Sequence, residues 1–329
     1  SSWDCCAKIG EISYGNSDPY RLHHNTAVFL YNVTVIETIL QTKLYIPPLR
    51  SNFVSRPQLI NQLDQGLQQD NKLALVSAPA GFGKTTLIVD WVHRSQTVPG
   101  APRFAWLSLD AGDNNVMRFL TYLVAALQTI ESSLGHGLLA ALRSPENVNV
   151  ERVLTALLNE LGDFPADIVL ILDDYHVIES LSIDKTVTFL LDHLPPRTQL
   201  VIAGRIDPSL PLSRLRARGQ LAEIRAHDLR FTPKEAAVFL NKVMGLDLSA
   251  GDIASLEKHT EGWIAGLQLA ALSMQGLEQS SDIADFVNRF TGSDRYIQDY
   301  LADEVLRQRP RGTTEFLLRT SILSRLSAP

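Results

Sequence analysis

Between Lys72 and Phe231, short apolar runs alternate with segments of helical period. The runs are Leu73–Ser77, Phe104–Leu109, Ile168–Leu172, Leu200–Ala203 and Leu221–Ile224. Each is too short for a buried helix, and most are rich in Val, Ile or Leu. Segments such as Thr85–Arg94, Met117–Ile130 and Val150–Leu161 lie between them with apolar residues three and four apart. That alternation predicts an α/β fold, a parallel sheet with helices on both faces. After Phe231 the strand signal stops. Thr232-Pro233-Lys234-Glu235 joins a capping box to a proline at the first helical position. Helical patterns then run to Leu323, with breaks near Gly245–Gly251, Gly276–Ser281 and Gly292. The expected organisation is therefore an α/β domain over residues 42–231 and a helical part over 232–329. Ahead of the first strand, Thr42-Lys43-Leu44-Tyr45-Ile46-Pro47-Pro48 reads as extended chain stiffened by proline. Val54-Ser55-Arg56-Pro57 opens a helix with Ser55 as its expected N-cap, followed by Leu59, Ile60, Leu63 and Leu67 at helical spacing. Residues 1–41 carry no clear period and read as a leader to which no function is assigned.

Composition narrows the picture without naming a chemistry. The chain has 329 residues, 45% hydrophobic and 20% charged, which suits about two globular domains. A net charge of −6 gives no basic surplus for gripping a phosphate backbone. The two cysteines, Cys5 and Cys6, are adjacent; neighbours do not easily close an unstrained disulfide, and no zinc spacing exists. A reducing, cytoplasmic setting is the expectation. The apolar stretch Ala27–Leu40 contains Asn32 and Glu37, falls short of the roughly 20 residues of a spanning helix, and lacks the flanks of a signal peptide. No membrane insertion is expected.

The chemistry starts at Ala78-Pro79-Ala80-Gly81-Phe82-Gly83-Lys84-Thr85-Thr86, between the first strand and a helix. The phosphate-binding pattern is Gly, four residues, then Gly-Lys-Ser/Thr; Ala78 stands where the first Gly is usual, a change that is tolerable if that position has negative φ. Gly81 and Gly83 let the Ala80–Gly83 backbone turn so that its N–H groups face phosphate oxygens, and the helix adds its positive end. Lys84 can reach the β- and γ-phosphates, the Thr85 hydroxyl can ligate Mg²⁺, and Thr86 lies beside the α-phosphate region. A glycine turn before an ordinary helix is the competing explanation, which the strand–loop–helix context disfavours. Val169-Leu170-Ile171-Leu172-Asp173-Asp174 is an apolar strand ending in two acids. Asp173 is assigned to Mg²⁺ and Asp174 to orienting or deprotonating an attacking water; the alternative is an acid pair that caps a buried strand. Leu200-Val201-Ile202-Ala203-Gly204-Arg205 ends likewise in a charge. Ligands in such sheets sit at the carboxyl ends of strands, so Arg205 is either a γ-phosphate sensor or a surface arginine. Arg214, Arg216 and Arg218 mark a solvated helix face or, less favoured, a subunit contact.

Together these motifs resemble the ATPase domain of the MalT-type and other large ATP-binding LuxR-type regulators. The resemblance is carried by the Ala78–Thr86 loop and by Leu172-Asp173-Asp174-Tyr175-His176. Thr42-Lys43-Leu44 with Pro47-Pro48, Pro211-Leu212-Ser213-Arg214-Leu215-Arg216-Ala217-Arg218-Gly219 and Thr260-Glu261-Gly262-Trp263 add to it. It covers Thr42 to Pro329 and implies a STAND-type signalling ATPase: a P-loop domain, then a small helical domain and the start of a winged-helix-like region. Such proteins rest with ADP and self-associate when an inducer lets ATP replace it. The resemblance also implies a helical-repeat sensor and a DNA-binding helix-turn-helix beyond residue 329. By the same resemblance, Phe53, Val54 and Arg56 border the adenine. Gly262-Trp263-Ile264 matches a Gly-x-Pro motif whose proline touches the nucleotide, with Ile264 in place of that proline; core packing of Trp263 and Ile264 is the alternative. Two other functions share these motifs. One is an immune or anti-phage STAND protein, which residues beyond 329 would distinguish; the other, a metabolic P-loop kinase, would need an acceptor pocket and a lid for which the sequence has no signal.

Overall fold

The computed structural model describes residues 39–51, 53–69, 71–142, 149–275, 277, 280–290, 294–306 and 311–320. The leader expected over residues 1–41 lies outside them up to Thr38, as do Gly276, Gly292 and the stretch around Leu323. Five strands, β1 (Leu73–Ser77), β2 (Arg103–Ser108), β3 (Ile168–Asp173), β4 (Thr198–Gly204) and β5 (Leu221–Arg225), form one sheet in the order β2-β3-β4-β1-β5. Every pairing is parallel. All five expected apolar runs are strands, and β1, β3 and β4 are buried along their whole lengths.

The reason is visible in β1. Leu73 and Leu75 point into one core, and Ala74 and Val76 into another on the opposite face. The first core is covered by α3 (Val116–Gln128), α4 (His136–Leu142), α5 (Val150–Asp163), α6 (Leu181–His193) and α7 (Leu212–Ala217). The second is covered by α1 (Pro57–Gln68) and α2 (Lys84–Ser95). A strand side chain fully withdrawn from water contributes about 1.5–3 kcal/mol when it is a Val or Leu, so both helical layers are needed to keep the apolar run Leu73–Val76 in place. Trp91 Nε1 donates to Asp64 Oδ1 at 2.7 Å and stitches α2 to α1.

The start of α1 corrects one expectation. Arg56, not Ser55, occupies the N-cap, with Pro57 at the first helical position. The Ser55 hydroxyl donates instead to Asp90 Oδ2 at 2.5 Å. Arg94 Nη2 donates to Ser55 Oγ at 2.6 Å, so the accepting side of the hydroxyl that a helix amide would use is taken by a residue of α2. Lys43 of the lead-in is also committed: it is buried and ion-pairs with Asp113 and Asp110, which anchors residues 41–44 to the end of β2.

After the short α8 (Ala226–Leu229), every described element is helical: α9 (Pro233–Ala237) with a π-helical continuation Val238–Val243, α10 (Ala250–Thr260), α11 (Ile264–Met274), α12 (Ser280–Arg289), α13 (Arg295–Leu301) with a π-helical turn Ala302–Leu306, and α14 (Arg311–Thr320). The capping box at Thr232 forms as read, with Thr232 Oγ1 accepting from Glu235 N. The helices from α9 to α13 share a third core around Phe231, Phe239, Leu240, Leu256 and Leu267. Among the described residues no helix is long and apolar enough to cross a membrane.

Candidate nucleotide site

The carboxyl ends of β1, β3 and β4 converge on one spot. The chain leaves β1 at Ser77, and Ala78 N donates to Gly204 O at 3.2 Å, which ties the loop's start to the end of β4. Ala78 is buried and has no positive φ, so the substitution for glycine there carries no backbone strain. Gly81 and Gly83 do have positive φ, +78° and +76°, a region in which only glycine is comfortable. Gly83 is the N-cap of α2, so the unpaired amides of that helix open into the loop.

Lys84, the first residue of α2, is buried and turns back over the loop. Its Nζ donates to Ala78 O at 2.8 Å and to Pro79 O at 3.0 Å. Burial lowers its pKa, the Asp174 charge opposes that, and Arg205 adds to the lowering. Thr85 Oγ1 donates to Asp173 Oδ2 at 2.9 Å. The Asp173 carboxyl is pushed up to about 6, first by burial and second by the neighbouring Asp174 charge; Thr85 and the Asp174 amide pull the other way. Asp174 differs from its neighbour: its side chain is half exposed and its backbone sits at φ +57°. The acid pair thus divides into one buried carboxylate on the threonine and one presented to solvent.

Arg205 follows β4 and faces the helical part. Nη1 donates to Glu304 O at 2.9 Å and Nη2 to Glu304 Oε2 at 2.7 Å. Glu304 was not legible from the sequence, because it lies 99 residues away in the π-helical turn after α13.

The loop is also gripped by α11. Trp263 Nε1 donates to Ala80 O, and Ala265 N donates to Gly81 O, each at 3.0 Å. A Cβ on Gly81 would lie 2.5 Å from Ala265 Cβ, 2.7 Å from Trp263 Nε1 and 3.0 Å from Tyr300 Oη. Glycine is therefore required here by close approach as well as by φ. Tyr300 stacks edge-on against Trp263 with ring centroids 5.5 Å apart. Neither Tyr300 nor Glu304 belongs to any local motif; only the fold brings them over the loop.

On the other side of Gly83 lies an apolar cavity of about 90 Å³, lined by Phe53, Val54, Arg56, Phe82, Thr86 and Ile264 among others. The structure thus gathers the residues expected to border the base. Phe231 and Gln268 line it too and were not read from the sequence. Arg56 reaches the cavity wall, but its guanidinium is committed to protein: Nη1 to Leu229 O and Nη2 to Asp228 O, both at 2.8 Å, Nη2 to Arg230 O at 3.0 Å, and Nε against Glu235 Oε1 at 2.6 Å. It clamps the segment before α1 to the passage between sheet and helices. Ile264 Cδ1 stands 3.1 Å from where a Gly83 Cβ would be, so its side chain closes the cavity against the loop. Arg214 and Arg216 form ion pairs with Asp192 and Glu223 at the surface, away from this site.

No family model matches the chain. It is 34% identical over 286 residues to the HTH-type transcriptional regulator MalT of Yersinia pestis (strain Pestoides F), an alignment that spans 87% of this chain and 31% of that protein. The MalT of Klebsiella pneumoniae subsp. pneumoniae matches with the same identity and coverage. The chain therefore spans about a third of the length of the curated relatives it matches. Among solved structures, it superposes on Cdc6p from Pyrobaculum aerophilum with a TM-score of 0.46 and 17% identity, covering 72% of this chain and 66% of that one. A Walker-type ATPase of Pyrococcus abyssi superposes with a TM-score of 0.42 and 13% identity, covering 83% and 90%. The resemblance carried by the phosphate loop and the acid pair thus extends over most of the chain, which is a relative of the MalT-type transcriptional regulators across 286 residues.

Proposed function

We propose that this chain is the nucleotide switch of a MalT-type transcriptional regulator, binding ATP or ADP with Mg²⁺ and hydrolysing ATP slowly. The observation that carries the reading is the pair of hydrogen bonds from α11 to the phosphate loop, Trp263 Nε1 to Ala80 O and Ala265 N to Gly81 O. A loop held in that way couples whatever occupies it to the placement of the helices beyond residue 231, the boundary proposed between the nucleotide domain and the helical part. A ligand shifts such an arrangement only through its differential affinity for the two states.

The residues present suit the nucleotide and the metal. The positive-φ glycines leave a cradle that a Cβ would fill. Lys84 Nζ, held meanwhile by two loop carbonyls, is the cation for the β- and γ-phosphates. Thr85 Oγ1 and Asp173 Oδ2 supply hard oxygen ligands of the kind Mg²⁺ selects, and the metal would neutralise charge on the phosphates. Asp174 orients the attacking water. Arg205 senses the γ-phosphate, in exchange for Glu304. Phe53, Val54, Phe82 and Ile264 supply an apolar wall for the adenine. Self-association in the ATP state, an inducer, and DNA binding through a separate domain belong to the same proposal; the HTH-type designation of the relatives supports the last of these. Calorimetric titration with ADP and ATP, with and without Mg²⁺, tests the reading alongside a steady-state hydrolysis assay. Tight ADP binding with slow turnover is expected; no nucleotide binding by the folded chain would overturn it.

A further inference from the structure

His176 is a polar side chain of the site to which neither the loop nor the acid pair assigns a task. It lies two residues past Asp174 on the single turn Tyr175–Val177. That turn is fixed from several sides. Tyr175 Oη donates to Asp184 Oδ1 at 2.9 Å within the core. Asn114 Nδ2 donates to Val177 O at 2.8 Å, while Asn114 Oδ1 accepts from the amides of Glu179 and Ser180. Gly204 packs against the turn closely enough that an added Cβ would stand 3.6 Å from His176 N.

The imidazole is held in this frame with 13% of the side chain exposed, and its Nδ1 is buried without a hydrogen-bond partner. An unsatisfied buried polar atom costs about 1–3 kcal/mol, so a rigid turn that keeps one is holding it for a partner. Asp174 Oδ1 stands 3.8 Å away, roughly 0.6 Å beyond the upper end of the hydrogen-bonding range. The Asp174 carboxylate, half exposed, has room to rotate. The charged groups that face the ring are Asp174, Arg205, Lys84 and Glu304; burial first, with Arg205 and Lys84, disfavours the imidazolium. A neutral ring whose Nδ1 faces a carboxylate carries its proton there and acts as donor.

We propose that His176 is a positioning residue for Asp174: with Mg-ATP in the site, Nδ1–H donates to Asp174 Oδ1 and turns Oδ2 toward the water that attacks the γ-phosphate. In that step the water oxygen bonds to the γ-phosphorus as the bridging bond to the β-phosphate breaks. The electron pair leaves with ADP, and the water proton passes to Asp174 Oδ2. The His176 proton stays on Nδ1. The proposal rests on the assignment of Asp174 as the water-orienting group.

Steady-state hydrolysis by His176→Phe and His176→Asn, each alone and combined with Asp174→Asn, tests it. Phenylalanine keeps the ring packing and loses the donor; asparagine places an amide N–H near the Nδ1 position. His176→Phe is expected to lower kcat about tenfold, the worth of roughly 1.4 kcal/mol, with KM and ADP affinity little changed. His176→Asn should retain most of the parental kcat, and His176→Phe should add no loss to Asp174→Asn. If His176→Phe does not fold, His176→Gln, whose amide reaches toward the Nε2 position, takes its place with the same expectation. Equal losses in the Phe and Asn variants, or a loss that adds to that of Asp174→Asn, overturn the proposal. A slow Asp174→Asn beside a parent-like His176→Phe overturns it alone, whereas a parent-like Asp174→Asn removes the assignment of Asp174 and this proposal with it.

Discussion

Trp263 Nε1 donates to Ala80 O at 3.0 Å, so an indole from the helical part holds the backbone of the phosphate loop. Trp263→Phe keeps an aromatic ring beside Tyr300 and removes the donor together with part of the indole's packing. One neutral hydrogen bond is worth about 1 kcal/mol net, so ADP release from the variant should quicken about fivefold. Stopped-flow displacement of a fluorescent ADP measures this. An unchanged release rate would mean that the indole bond does not couple the helices to the bound nucleotide.

Lys84→Ala removes the cation assigned to the phosphates and leaves Ala78 O and Pro79 O without their donor. A charge-assisted contact contributes about 1.5–3 kcal/mol, so ATP affinity should fall at least about tenfold. Calorimetric titration of the folded variant is the check. Unaltered affinity would move the phosphate site away from this lysine.

The Asp173 carboxyl gives a pH signature. Its pKa rises from 3.8 to about 6 in the folded protein, through burial and then the Asp174 charge. Between those values the folded state holds a proton that the unfolded state has lost. Stability contributed by this group therefore falls as pH rises from about 4 to about 6, and the full penalty persists above 6. Asp173→Asn removes that penalty, so the ligand-free variant should gain stability relative to the parent across this window. The same variant should lose Mg²⁺-dependent tightening of ATP binding. Thermal melts of both proteins at pH 4, 5, 6 and 7 measure the first effect; a stability difference that does not vary with pH would contradict it.

Gly81→Ala tests the close approach. The new methyl would meet Ala265 Cβ at 2.5 Å on a backbone with φ +78°. Either the loop distorts or α11 withdraws, and both should weaken nucleotide binding and lower Tm by several degrees. Gly100, also at positive φ but with nothing within 4 Å of an added Cβ, is the control, since Gly100→Ala carries the φ penalty alone.

What the sequence made legible follows from range. The central strands were readable because a strand buried on both faces carries a nearly continuous apolar run, as Leu73–Val76 in β1 and Leu200–Ala203 in β4 do. The loop was readable because its glycines, lysine and threonine are adjacent in the chain. The Ser55 cap was misread because Asp90 and Arg94, 35 and 39 residues on, take the donating and accepting sides of that hydroxyl. Glu304 on Arg205, Tyr300 over Gly81 and the carbonyls around Arg56 share that character: each is a partner supplied by the tertiary fold. The unpaired Nδ1 of His176 has no sequence signal either, since Leu172-Asp173-Asp174-Tyr175-His176 gives the residue but not its burial.

The last prediction concerns the switch. Arg205 and Glu304 join the end of β4 to the turn after α13 by two hydrogen bonds, one to the carboxylate and one to the backbone carbonyl. The γ-phosphate of ATP would compete with that carboxylate for the guanidinium, whereas ADP would leave the pair intact. ADP should therefore favour the arrangement described here, and ATP a more open one. Glu304→Gln keeps the backbone bond and removes the ion pair, which is partly exposed at 25% and 37% of the two side chains, so its loss amounts to about 1 kcal/mol at most. That is enough to shift a balanced equilibrium about fivefold. Small-angle scattering of the parent and of Glu304→Gln, each with ADP and with a non-hydrolysable ATP analogue, reads the outcome. The parent is expected to expand only with the analogue, and the variant to reach the expanded profile at a lower concentration of it. Identical profiles in all four samples, together with rapid multiple turnover, would mark a constitutive ATPase. Matching profiles with slow turnover would mean that the nucleotide alone does not open the arrangement of this chain.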